Sequence, residues 1–207
     1  MAFRFFSSPR ARKPSARKPH LVNKMSDCTP PPSFPNPSLT FPSSPTEFEG
    51  HATVLVAREG GLKPMSPAIG ALCGKTYSTV GAQVGPVDGV EVVGAPIMVC
   101  YAFDKEANTL DLAPGMVLSS SPGDEVVAAL SDAVPQAAVS VVSLPAGKVV
   151  KATLSGSYDH LGAAWASYMA WIASKGWVPN GPTWEQYLSM GDADTPPTTD
   201  LFVPIEA

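Results

Sequence analysis

Long apolar runs are missing from this 207-residue chain. No stretch reaches the roughly 18 apolar residues that a membrane-spanning helix needs, and none near the N-terminus has the apolar centre of a secretory signal. These absences argue against a membrane partner and for a soluble, cytoplasmic protein. Cysteine is equally scarce. Cys28, Cys73 and Cys100 are odd in number and far apart, so they make neither a disulfide framework nor a CxxC metal or redox motif, and they read as free thiols in a reducing compartment. The three histidines, His20, His51 and His160, stand alone, and no Gly-x-Ser-x-Gly elbow, P-loop or dinucleotide fingerprint occurs. No metal site and no cofactor is expected.

Acidic side chains are almost missing from the first 46 residues, which carry seven bases (Arg4, Arg10, Arg12, Lys13, Arg17, Lys18, Lys24) and one acid, Asp27. The remaining 161 residues hold seven bases and seventeen acids. An acidic body repels a phosphate backbone, which excludes nucleic acid as its partner and favours basic or neutral ligands. Ten of the 23 prolines lie in the first 45 positions, where no apolar periodicity occurs at either helical or strand spacing. Residues 1–46 therefore read as a disordered basic tail, and 47–207 as the folded domain. The first 26 residues combine Arg, Ser and Phe3, Phe5 and Phe6 with no acid, as an organellar (mitochondrial or plastid) import peptide would. Pro9, Pro14 and Pro19 would interrupt its helix, and a translation start at Met25 is the competing reading.

Within the body, Ala52–Arg58 is a β-branched apolar run of strand length. Ser66–Val84 places Ile69, Leu72, Cys73, Thr76, Tyr77 and Val80 on one stripe at helical spacing. Ala95–Phe103 and Leu110–Ser119 follow as strands, and Asp124–Ala133 reads either as a short helix or as an inserted loop. Ala137–Leu144 and Lys148–Leu154 are valine-rich strands. Tyr158–Lys175 is the clearest helix: Leu161, Ala164, Trp165, Tyr168, Met169, Trp171 and Ile172 share a stripe, His160 faces away, and Gly176 stops it. Pro182–Leu188 and Leu201–Ile205 close the chain as strands around an acidic loop.

The order strand, helix, strand, strand thus occurs twice, and Pro96-Ile-Met-Val-Cys-Tyr101 and Pro182-Thr-Trp-Glu-Gln-Tyr187 share the pattern Pro-x-x-x-x-Tyr. A duplicated β-α-β-β unit follows: an α+β fold with pseudo-twofold symmetry, an antiparallel sheet with helices on one face and a ligand groove on the other. Strand alternation sets Thr183, Glu185 and Tyr187 on one face, and matching the two motifs sets Ile97, Val99 and Tyr101 with them. A single carboxylate, Glu185, then lies in the groove opposite Val99. Stripped of solvent, it is suited to attracting an organic cation between the rings of Tyr101 and Tyr187, or to activating a water. Exposure at a sheet edge is the bland alternative.

Leu144-Pro-Ala-Gly147, Gly156-Ser-Tyr-Asp-His-Leu161, Trp165, Gly176, Asn180-Gly-Pro-Thr-Trp-Glu-Gln-Tyr187 and Leu201-Phe-Val-Pro-Ile205 together resemble the DNA gyrase inhibitor-like small-molecule-binding family, which shares its fold with the effector-binding domains of multidrug-sensing transcription regulators. The resemblance is strong over 144–205 and weaker over 50–119. It implies the duplicated fold and a pocket glutamate at Glu185 accompanied by Tyr187. No helix-turn-helix accompanies the domain, so a complete transcription regulator is not expected. Three functions follow from it. The first is a binding module for an amphipathic, cationic or aromatic small molecule, lined by Val99, Tyr101, Glu185 and Tyr187 with Trp165 and Tyr168 nearby. The second is a hydrolase opening a strained cyclopropane-type electrophile with Glu185 as general base. The third is inhibition of a DNA topoisomerase by protein contact.

Overall fold

The computed structural model describes residues 37–84, 89–192 and 194–206. In chain order the elements are β1 (Ser38–Thr40), β2 (Thr46–Phe48), β3 (His51–Leu62), α1 (Pro67–Gln83), β4 (Ile97–Asp104), β5 (Thr109–Val117), α2 (Asp124–Ala133), β6 (Ala138–Leu144), β7 (Gly147–Ser155), α3 (Leu161–Ser174), β8 (Thr183–Ser189) and β9 (Thr198–Pro204). A single 3-10 turn, Tyr158–His160, leads into α3. The fold is α+β, and its strands form one antiparallel sheet in the order β1-β7-β9-β8-β4-β5-β3-β6, with β2 also on β7.

That order is symmetric about its middle. From the central β4–β8 pair outward, β5 answers β9, β3 answers β7, and β6 answers the short β1 and β2. The helices α1 and α3 occupy equivalent positions, each after the first long strand of its half. The duplication expected from the repeat is therefore the architecture of the sheet, and α2 is an addition to the first half alone. It settles the open reading of 124–133 as a helix that buries Val126 and Leu130.

Alternation along each strand divides the core by face. On the helix side, Leu55, Ala57, Met98, Leu112 and Met116 meet Leu72 and Val80 of α1 and Val126 and Leu130 of α2. The second half repeats the arrangement, with Val150, Ala152, Leu201 and Val203 against Tyr168 and Ile172 of α3. On the other face, Val54, Val56, Ile97, Val99, Ala113, Val117, Trp184 and Phe202 form a third cluster. Here Trp184 stacks on Phe202 with centroids 5.1 Å apart, and Phe48 lies 5.0 Å from Trp184. Gly115 allows β3 and β5 to approach, since a Cβ there would lie 2.6 Å from the Val56 side chain and 2.7 Å from the Leu55 carbonyl oxygen.

Two expectations change. Folded structure begins before residue 47: Ser38–Thr40 pairs with Thr153–Ser155, and Thr46–Phe48 with Gly147–Val149. Three-residue strands flanked by Pro37, Pro42 and Pro45 are too short to show a period, and proline is compatible with an edge strand. The rest of the expected tail, residues 1–36, lies outside the described residues, as does Cys28. The helix-free face is also not an open groove near the centre of the sheet, because the Trp184 cluster occupies it.

Candidate functional site

In an antiparallel pair, residues directly opposite share a face. The β4–β8 register sets Met98 opposite Glu185, Cys100 opposite Thr183, Val99 opposite Trp184 and Ile97 opposite Gln186. Glu185 also stands opposite Leu201 of β9, which packs under α3. Glu185 and Tyr187 therefore face the helices. Burial of Trp184 in the opposite core decides this, since turning a Trp inward on one side of a strand turns its neighbour to the other.

Glu185 is partly buried between the two halves. Trp165 of α3 donates its indole N–H to Oε1 at 2.6 Å, and the Tyr187 hydroxyl donates to Oε2 at 2.6 Å. Both are short bonds of the charge-assisted kind. Burial raises the Glu185 pKa above its ordinary value, and the bonds from Tyr187 and Trp165 oppose that rise. Among the described residues no Lys, Arg or His forms a salt bridge with it.

Aromatic rings surround the carboxylate. Tyr158 meets Tyr187 edge to face at 5.6 Å, and Tyr77 of α1 lies 6.4 Å from the same ring. Tyr77 is held by donating its hydroxyl to the Ile97 carbonyl at 2.9 Å. Tyr158 is aimed by the turn before it. Gly156 has φ +152° and packs against Pro37, where a Cβ would come within 2.8 Å, and the Ser157 hydroxyl accepts the Asp159 N–H. Burial, and then the Glu185 charge, raises the pKa of Tyr158. Tyr77 and Tyr187 are pushed well above the usual tyrosine value, with burial the first cause and Glu185 a contributor.

Two free thiols border the same region. Cys73 of α1 is pushed up to about 11 and Cys100 of β4 is raised, in each case chiefly by burial and further by the Glu185 charge. Both are kept protonated and weakly nucleophilic. A separate hollow of about 330 Å³ lies between β1 and the far flank of α3, bordered by Leu39, Phe41, Leu154, His160 and Ser167, and does not include Glu185.

The model of the GyrI-like small molecule binding domain family matches residues 89–206, more than half of the chain. The chain belongs to the GyrI-like family. No curated protein matches it by sequence. Among solved structures, the EcmrR C-terminal domain is 16% identical with a TM-score of 0.58, the match covering 80% of this chain and 98% of that domain. The integron cassette protein VCH_CASS2 of Vibrio cholerae is 13% identical with a TM-score of 0.51, over 82% and 99%. SAV2435 bound to tetraphenylphosphonium is 12% identical with a TM-score of 0.52, over 79% and 93%. In an EcmrR–DNA complex the match covers only 57% of the regulator chain. At these identities the likeness is one of fold. No helix among the described residues is long and apolar enough to cross a membrane.

Of the residues expected to line a GyrI-like pocket, Glu185, Tyr187 and Trp165 come together. Tyr168, also on α3, packs its ring 5.9 Å from that of Trp165 but is itself fully buried in the core against Phe41 and Trp171. Val99 and Tyr101 lie on the opposite face, Val99 in the Trp184 core and Tyr101 beneath the Arg58 guanidinium at 4.0 Å. The reason is phase. Aligning the repeat on its Pro and Tyr residues offsets the two strands by one position relative to the sheet face, and a register shift between Cys100 and Ala102 leaves Tyr101 without a partner on β5. Tyr158, Tyr77, Cys73, Cys100 and Met98 were missed as neighbours of Glu185. Cys73 and Tyr77 were already on the apolar stripe of α1, and Tyr158 sits in the Gly-Ser-Tyr motif. The sequence does not show that the α1 stripe and the β8 carboxylate share one face.

Proposed function

We propose that this GyrI-like domain binds a small aromatic or amphipathic organic cation between α1 and α3, with Glu185 as the charge partner. The observation that carries this reading is a partly buried carboxylate with no cationic partner among the described residues, set among Tyr77, Tyr158, Trp165 and Tyr187. An uncompensated carboxylate in such surroundings is stabilised by a cation, and ring faces add cation–π attraction. Each Glu185 oxygen already accepts a bond from a neutral donor, so a ligand that brings charge without N–H groups, such as a phosphonium or quaternary ammonium, fits without displacing them. Tetraphenylphosphonium, named with SAV2435, is the natural probe.

The test is calorimetric titration of the full chain and its Glu185→Gln variant with tetraphenylphosphonium and with a neutral isostere. The expected loss is about 10- to 100-fold in affinity for the cation, the scale of 1.4–2.8 kcal/mol, with little change for the neutral compound. Equal binding of the cation by both proteins would remove Glu185 from the site. A second reading is favoured by the raised basicity of Glu185: it would take a proton from water as the oxygen attacks a strained, electrophilic ring. Product formed from a cyclopropane electrophile by the parent chain and not by Glu185→Gln is the outcome that selects it.

A further inference from the structure

Strand alternation puts Glu185 and Tyr187 on the helix side of β8, and continued unbroken it would put Met190 on the opposite side. A bulge prevents this. Tyr187 stands opposite Thr199 and Ser189 opposite Thr198, so β8 carries one extra residue, Leu188. Opposed residues share a face, and Thr198 faces away from the side that Thr199 occupies. Ser189 therefore turns to the helix-free face, and Met190 turns back to the side of Glu185. The loop that follows holds it there. Gly191 has φ +72°, and a Cβ on it would lie 2.6 Å from the Thr195 carbonyl oxygen, so this tight closure requires glycine. The Gly191 N–H donates to the Ser189 hydroxyl at 3.0 Å, and Asp192 Oδ1 accepts the Asp194 and Thr195 N–H groups. At the far end of the loop the Pro197 carbonyl accepts the Gly156 N–H at 2.9 Å, which ties it to the turn that carries Tyr158. The Tyr158 hydroxyl donates to Met190 Sδ at 3.2 Å, with the Ser189 carbonyl oxygen 3.5 Å away. Met190 is nonetheless 74% exposed, the most of any large apolar side chain among the described residues. It is aimed without being buried, so core packing is not its role.

We propose that Met190 is a specificity-determining residue of the Glu185 site, favouring cations with aryl arms over small ones. The proposal rests on the cation reading of that site. Tyr158 packs edge to face on Tyr187, whose hydroxyl holds Glu185, so Tyr158 and Met190 form the solvent side of the carboxylate's surroundings. A cation that carries several aryl groups turns one toward α1 and sends another outward past Tyr158, where it meets Met190. The thioether is polarisable and unbranched, so it packs against ring edges of varied shape. The bond from Tyr158 fixes the sulfur and leaves the terminal methyl to make that contact. A cation the size of tetramethylammonium stays against the carboxylate and does not reach it.

Calorimetric titration of the full chain with tetraphenylphosphonium and with tetramethylammonium tests this. Met190→Ala is expected to weaken the aryl cation about 3- to 10-fold, the scale of one sulfur–aromatic contact, while the small cation stays within about twofold and the melting temperature is unchanged. Tyr158→Phe and Met190→Leu each remove the bond between the two side chains. Each should weaken the aryl cation, and the double variant should weaken it no further than the worse single one. Glu185→Gln, run beside them, separates this proposal from the reading beneath it: if that variant binds both cations as the parent does, the cation reading fails on its own, whatever Met190→Ala does. Undiminished binding of tetraphenylphosphonium by Met190→Ala, an equal loss for both cations, or losses that add in the double variant would each overturn the proposal. A parent chain that binds neither cation would overturn both readings.

Discussion

The first half of the molecule, β3 to β5 with α1, and the second, β7 to β9 with α3, have the same topology and different chemistry. Where the second half sets Glu185, the first sets Met98 directly opposite. Where α3 contributes the indole of Trp165, α1 contributes Cys73 and Tyr77. Duplication has produced a symmetric scaffold around an asymmetric site, with the negative charge and its hydrogen-bond donors on one side and sulfur and ring surface on the other. A ligand held there should lie with its charge toward β8 and its apolar body toward α1. The helix-free face carries the same contrast. In the second half Asp200 is nearly buried, bonded to Lys151 at 2.9 Å and Thr153 at 2.6 Å. In the first, Arg58 pairs with Asp111 in solvent.

The sharpest way to break the comparison is at Trp184. It belongs to the second half but is stacked in the core that both halves share. Trp184→Ala should cost about 3–5 kcal/mol in denaturant unfolding and release the face preference of Glu185, so that binding of tetraphenylphosphonium falls with it. If stability drops and binding survives, the strand phase is not what aims the carboxylate.

The two acid–base pairs should respond differently to the same change. Asp200→Asn leaves the Lys151 ammonium and the Thr153 hydroxyl poorly matched and should cost about 1–3 kcal/mol. Asp111→Asn, at a solvent-exposed pair, should leave the melting temperature unchanged within error, because water replaces the lost interaction. Equal losses at the two sites would show that burial does not distinguish the halves.

The smallest expected effect concerns Glu185 and pH. Its pKa is raised in the folded chain, so the folded state holds the proton more tightly than the unfolded state does. Its contribution is most favourable below the ordinary carboxylate range and is lost as pH rises through the raised folded value. Glu185→Gln removes that loss. The variant should melt above the parent near neutral pH, and the gap should close as falling pH protonates Glu185 in the parent chain. A gap constant with pH would mean that the carboxylate is not desolvated. Cation binding should run the other way, weakening as acid protonates Glu185.

Much of this was legible from residues alone. Trp165 and Ile172 announce α3 by their spacing, the repeated order strand, helix, strand, strand announces a duplication, and the Asn-Gly-Pro-Thr-Trp-Glu-Gln-Tyr run singles out Glu185. What failed was phase. Repeated motifs are not repeated positions: matching Val99 and Tyr101 to Glu185 is off by one residue, and with a period of two that moves every side chain to the wrong face. The edge strands β1 and β2 escaped notice because three residues carry no period, and proline hid them further.

Sequence by itself determined the long strands and the two long helices, their duplication and the one acid with a case for function, because hydrophobic spacing and motif are local properties of the chain. Only the tertiary structure decided which face Glu185 occupies and which rings surround it. Those depend on register between strands far apart in the chain, and here the burial of Trp184 against Phe202 and Phe48 makes that choice.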